Sequence, residues 1–187
     1  MIIQPPTTDD LVALFTSRLA AVSGQALRVA DSGTAADAIR TTALTERVVW
    51  ISEDVGQRAP ALIAALERVG FQAKVPRDPA EVRDQPLGLA IAEGTIAETG
   101  SAIMSEPRVD SRSVTLMTEK LVVVCPTTSL MPSLDEAAGV LQAISAGRAS
   151  YATFVTGPSR TADIERQLTV GVQGPSVFHV ILVDDLT

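Results

Sequence analysis

Aromatic side chains are scarce in this chain: one Trp, one Tyr and four Phe, about 3% of 187 residues. A core must therefore be built from Val, Leu, Ile and Ala, which suits a parallel sheet buried on both faces. The same scarcity argues against a stacking platform for single-stranded nucleic acid. Cysteine is nearly absent. The lone Cys125 excludes an internal disulfide and an iron–sulfur cluster held by this chain alone, which takes four thiolates. With a single histidine beside it, Cys/His zinc arrangements are missing, and no metal site is expected. Basic charge is also short: 15 Lys and Arg against 22 Asp and Glu give a net charge of −7. No Lys/Arg cluster offers a footprint for DNA or RNA backbone. No apolar run reaches the roughly 18 residues of a membrane span, and Met1 to Pro6 lacks the basic and apolar regions of a leader. A cytoplasmic protein without membrane span is the expectation.

What is present is a regular alternation of elements. Residues 8–22 carry Leu11, Leu14, Phe15, Leu19 and Val22 at helical spacing, with Thr8 or Asp9 as cap. A weak strand at Leu27–Ala30 leads to a helix from Thr34 to Leu44. Arg47–Ile51 is a strand, Arg58–Val69 a helix closed by Gly70, and Phe71–Val75 a strand. Pro76 to Pro86 holds three prolines and reads as a surface connection. Leu87–Ala92 is strand-like. Ala97–Met104 and Ser113–Met117 are expected to pair as a hairpin around a loop at Pro107–Ser111. Leu121–Cys125 is the strongest strand pattern of the chain. Ser133 and Glu136 form a capping-box pattern that opens a helix to Ala146. A buried strand at Tyr151–Val155, a helix at Thr161–Val170 and a strand at Phe178–Val183 complete the reading. Such alternation predicts one domain over residues 1–187: a three-layer α/β/α fold on a mostly parallel mixed sheet.

Two segments could carry chemistry. The first is the turn Thr156-Gly157-Pro158-Ser159-Arg160-Thr161-Ala162-Asp163-Ile164-Glu165. Read as a strand-to-helix turn, it presents free backbone N–H groups and a guanidinium to an anion. Read structurally, it is a capped helix start: Ser159 or Thr161 caps, Asp163 and Glu165 complement the dipole, and Arg160 faces water. The second is Ala92 to Ser101, with two glycines, two glutamates and three hydroxyls after a strand. Glu98 is the candidate base or nucleophile, and Thr95, Thr99, Gly100 and Ser101 are candidate ligand contacts. A pair of ordinary turns with solvated carboxylates is the bland alternative. Neither a Walker loop nor a dinucleotide fingerprint is present. His179 alternates with Ile181 on a strand and reads as a hydrogen-bonded strand histidine. Cys125 reads as a small buried apolar residue, and Lys120 as half of a surface ion pair.

Ala97-Glu98-Thr99-Gly100-Ser101, Leu121 to Glu136, Thr156 to Glu165, Gly171 to Pro175 and His179 to Val183 occur in this order. Together they resemble the LUD-domain family, which includes lactate-utilisation protein C and the YkgG-like proteins. The resemblance is strongest over residues 87–187. It implies a fold similar to the NagB/RpiA/CoA-transferase superfamily and a link to oxidation of L-lactate to pyruvate. There, a cluster-free member acts as an accessory or substrate-binding subunit beside iron–sulfur and LUD-containing partner subunits. The clusters are thus expected on the partners, with no cofactor in this chain. Gly157, Ser159, Arg160 and Thr161 would help hold a small anionic ligand. Two alternatives stand beside this reading. One is a stand-alone enzyme acting on a phosphorylated, CoA-linked or folate-like molecule through Glu98 and the 157–161 turn. The other is a regulatory or interaction module without catalysis.

Overall fold

A computed structural model describes residues 5–147, 151–161, 169–170 and 174–187. Helix α1 (Thr8–Ala21) precedes strand β1 (Gln25–Asp31), α2 (Ser32–Ala43) and β2 (Val48–Ile51). Then come α3 (Glu53–Arg58), α4 (Pro60–Arg68), β3 (Gln72–Lys74) and β4 (Leu87–Ile91). The middle of the chain holds β5 (Gly94–Ile96), β6 (Ser101–Met104) and α5 (Val109–Met117). It continues with β7 (Lys120–Pro126), β8 (Leu130–Met131), α6 (Ala137–Ala146) and β9 (Thr153–Val155). Short strands β10 (Arg160–Thr161) and β11 (Thr169–Val170) precede the long β12 (Val177–Asp185).

The main sheet has six strands in the order β1-β12-β7-β4-β2-β3, and every pairing in it is parallel. Its centre is aliphatic, with Val122 opposite His179 and Val124 opposite Ile181. Strand alternation sends Val122, Val124, Ile181 and Val183 to one face, where α2, α3 and α4 cover them. Leu121, Val123, Cys125, Phe178, Val180 and Leu182 go to the other face, against Phe15 and Leu19 of α1. A second sheet, β8-β5-β6-β9, packs on that same face beside α1. Its far side packs Ile96 and Ile103 against Ala137 of α6.

Three segments differ from the sequence reading. The expected hairpin partner Ser113–Met117 is helical: it belongs to α5, and the hairpin forms between β5 and β6 instead. Helix α5 buries Ser111, Ser113 and Thr115 along with Val114, so its inward face has no apolar stripe to read. β9 is an edge strand of the small sheet, not a buried strand of the large one, and Phe154 is 40% exposed. The helix expected from Thr161 does not run to Val170, because β10 and β11 pair antiparallel at those two ends. Residues 162–168, with Asp163 and Glu165, lie outside the described residues, as does Gly171. At smaller scale, α1 is capped by Thr7 rather than Thr8 or Asp9, in a reciprocal box with Asp10. The Ser133 hydroxyl makes no capping bond.

Two glycines fix how α1 seats on the signature segments. Gly100 has φ +69°, and a Cβ there would lie 2.6 Å from the backbone nitrogen of Leu19. Gly157 has φ +86°, and its Cβ would lie 2.8 Å from the Val22 carbonyl oxygen. Both turns therefore need the left-handed region and empty space under the last turn of α1. Gly100→Ala is expected to cost about 2 kcal/mol or more, from backbone strain plus a clash with main chain that cannot step aside. Gly139→Ala, within α6 where nothing lies within 4 Å, is expected to gain up to about 1 kcal/mol. Urea denaturation of the two variants measures both signs.

Candidate functional site

The two signature segments meet in space. β6 pairs with β9, placing Ala102 opposite Val155, so the turns that follow Ile96 and Val155 come side by side. A hydroxyl chain ties them: Thr99 Oγ1 donates to Ser101 Oγ at 2.7 Å, and Ser101 Oγ lies 2.6 Å from Thr156 Oγ1. Thr99 and Ser101 form the polar end of an open groove of about 620 Å³. Its walls are Leu134, Ala138, Leu141 and Phe154, with Leu134 51% exposed, and the Asp135 carboxylate also lines it. Apolar walls with a few placed polar groups are the usual make-up of a small-molecule site.

The other expected site residues have structural partners. Glu98 Oε2 accepts the Leu134 N–H at 3.0 Å, so this carboxylate caps the 3₁₀ turn that leads into α6. Arg160 donates to the Val22 carbonyl at the end of α1. The Ser159 N–H donates to the Pro175 carbonyl at 2.8 Å. Thr95 is fully buried beside the Cys125 thiol, with no nitrogen or oxygen partner for its hydroxyl. Gly100 and Gly157 are occupied by the approach of α1. The backbone of Thr161 lies in β10. Burial pushes the Cys125 thiol up to about 12, which removes it as a nucleophile near neutrality. His179 Nδ1 lies 3.1 Å from Thr42 Oγ1, and its pKa is held down by burial and by Lys120. Lys120 pairs with Glu46 at 3.0 Å.

A second place was missed in the sequence. Along the sheet, the chain leaves β2 outward to β3 but leaves β4 inward to β7. Strands that part in this way open a crevice at their carboxyl ends, where ligands gather in open α/β sheets. Around it lies a cavity of about 170 Å³, bounded by the start of α3 and the segment from Ser105 to Ser111. Glu106 lines it and is only 3% exposed. Both of its carboxyl oxygens lie 2.7 Å from the Thr115 hydroxyl. Burial is the largest influence on this group and raises its pKa to about 7, aided by Asp54 and opposed by Thr115 and Arg112. Nothing in the local pattern Ser105-Glu106-Pro107 marks a buried carboxyl. The partner that reveals it, Thr115, sits on a helix whose polar face points inward.

With the geometry in place, comparison with known proteins decides the family. Residues 12–183 match the LUD domain. The chain belongs to the LUD domain family. Lactate utilization protein C of Bacillus subtilis (strain 168) is 35% identical over 102 residues, covering 53% of this chain and 42% of that protein. The protein of the same name from Macrococcus caseolyticus is 32% identical over 102 residues, covering 53% and 44%. The match thus takes in less than half the length of these relatives. A crystal structure of a DUF162 family protein from Deinococcus radiodurans shares the fold, with TM-score 0.71, 21% identity and coverage of 96% and 99%. Among the described residues of this LUD domain, no helix is long and apolar enough to cross a membrane.

Glu106 gives the domain a pH dependence whose sign is fixed. Its folded pKa, about 7, lies above the ordinary 4.5, so between these values the folded state binds more protons than the unfolded one. The contribution of this group to stability is therefore full below about pH 4.5 and is lost as pH rises through 7, about 3 kcal/mol in all. Glu106→Gln should flatten this part of the stability–pH curve. Chemical denaturation at pH 5 and pH 8 measures the slope in both proteins.

Proposed function

We propose that this LUD domain is a binding component of a lactate-utilising system rather than its redox catalyst. The observation that carries the reading is how the candidate chemical groups are used. Glu98 holds a backbone N–H of the turn before α6, and Arg160 holds a backbone carbonyl of α1. The groups that would attack a substrate or clamp an anion instead fasten the two signature turns to their neighbours. What they leave open is the groove floored by Thr99 and Ser101. The likeness to proteins named lactate utilization protein C, over about half of this chain, supplies the system in which such a component would act. Electron transfer would then belong to iron–sulfur partner subunits, and this chain would present or hold the small substrate.

A stand-alone enzyme acting on phosphorylated, CoA-linked or folate-like molecules is the second reading. It requires Glu98 and Arg160 to leave their present partners. An interaction module is favoured by one feature, the exposure of Leu134 and Phe154 on the groove wall.

The test is calorimetric titration of the purified chain with L-lactate and pyruvate, together with an assay of lactate oxidation using an artificial electron acceptor. Saturable binding without oxidation is expected. Ser101→Ala removes the middle of the hydroxyl chain and should weaken binding by about tenfold. Robust oxidation by the isolated chain would remove the proposal. Binding of phosphate or CoA esters, lost in Arg160→Ala, would move it to the second reading.

A further inference from the structure

We propose that the crevice between β2 and β4 is a second ligand site, distinct from the groove, and that it binds a small amine against Glu106. Three observations converge on it. The first is topological: in the six-stranded sheet, chain connections diverge where β2 and β4 lie side by side, and the cavity is lined by Glu53 and Asp54, just beyond the carboxyl end of β2. Ser52 follows β2 directly and donates its N–H to the Leu89 carbonyl of β4, and Glu53 donates its own to Ser111 Oγ at 3.4 Å.

The second is unmet hydrogen bonding. Glu106 is buried and lines the cavity, and both its oxygens rely on one Thr115 hydroxyl. That hydroxyl has a single proton, so in the ionised form of Glu106 one carboxyl oxygen is without a donor. Asp54, which lines the cavity, has a buried Oδ1 without a partner. Buried acceptors of this kind call for a donor.

The third is charge. Glu53, Asp54 and Glu106 line the cavity against one cation, Arg108. That guanidinium already bonds Glu53 at 3.2 Å and Asp110 at 2.5 Å. On the neighbouring elements, Arg58 faces Glu93 at 2.9 Å and Asp54 at 3.7 Å, and Arg112 donates to the Glu106 carbonyl at 3.3 Å. A carboxylate ligand such as lactate would meet carboxylates here. An ammonium group would supply up to three donors to acceptors that lack them. Among the described residues no His, Cys, Asp and Glu are grouped to share a metal ion, so an organic cation fits better than a divalent one. At about 170 Å³, there is room for about five water-sized groups at roughly 30 Å³ each.

A cation seated beside Glu106 favours its ionised form, so binding should strengthen as pH rises through 7. The experiment uses ethanolamine as probe, with glycerol, L-lactate and magnesium chloride as comparators. The side-chain carboxyl of Glu106 is followed by carbon NMR through a pH titration of the wild-type chain. Ethanolamine is expected to lower its midpoint by about one unit and to raise the melting temperature saturably, more at pH 8 than at pH 6. Glu106→Gln should lose at least tenfold in affinity. The wild-type titration stands whether or not that variant folds. The proposal falls if ethanolamine leaves the Glu106 midpoint unmoved up to tens of millimolar, or if glycerol or magnesium matches its effect. It also falls if L-lactate perturbs Glu106. Lactate acting at Thr99 and Ser101 alone bears on the groove and leaves this site independent of it.

Discussion

Everything in this domain depends on burying β7 and β12 on both faces. Their residues alternate between two apolar layers, and nearly every side chain at their centre is a branched aliphatic. Such strands cannot tolerate a solvent-facing side, so helices must cover one face and a second sheet with α1 must cover the other. With few aromatics to fill gaps, coverage comes from close backbone approach instead. That is why the last turn of α1 lies almost in contact with the main chain at Gly100 and Gly157. The conformational demand of the signature turns follows from packing on the core, before any ligand enters the question.

The same constraint explains what the sequence could disclose. Strands such as Leu121–Cys125 and Phe178–Val183 are legible because burial on both faces leaves an unbroken apolar run. Helices α1, α2 and α4 are legible because one stripe is apolar and the rest is not. Helix α5 is not legible, since Ser111, Ser113 and Thr115 face inward and satisfy polar partners there. The edge strand β9 escapes for the opposite reason: Phe154 looks like core in a window of five residues, yet its face is left open. The signature blocks identified the family correctly. Their residue types suggested chemistry at Glu98 and Arg160, but a hydrogen-bond partner 36 or 138 positions away has no trace in a local window.

Glu106 shows the converse. Its surroundings are assembled from α3, the segment after β6 and α5, three parts of the chain separated by other elements. Its carboxyl is unusual only because these parts close on it with one hydroxyl for two oxygens. A sequence reading that ranks glutamates by loop glycines finds Glu98, which the fold uses as a cap, and passes over Glu106, which the fold isolates from water.

The two openings have opposite chemistry, and this separates their roles. The groove beside Thr99 and Ser101 is walled mainly by apolar side chains, with two hydroxyls and one carboxylate, Asp135, so size and shape weigh more there than in the crevice. The crevice between β2 and β4 is rich in acceptors and poor in unpaired cations, so charge governs there. The groove sits on the small sheet, within the blocks that carry the family signature. The crevice sits where the large sheet reverses its winding, which is set by chain connection rather than by those blocks. One strand links them: β6 begins at Ser101 on the groove, and the segment that follows it carries Ser105 and Glu106 to the crevice.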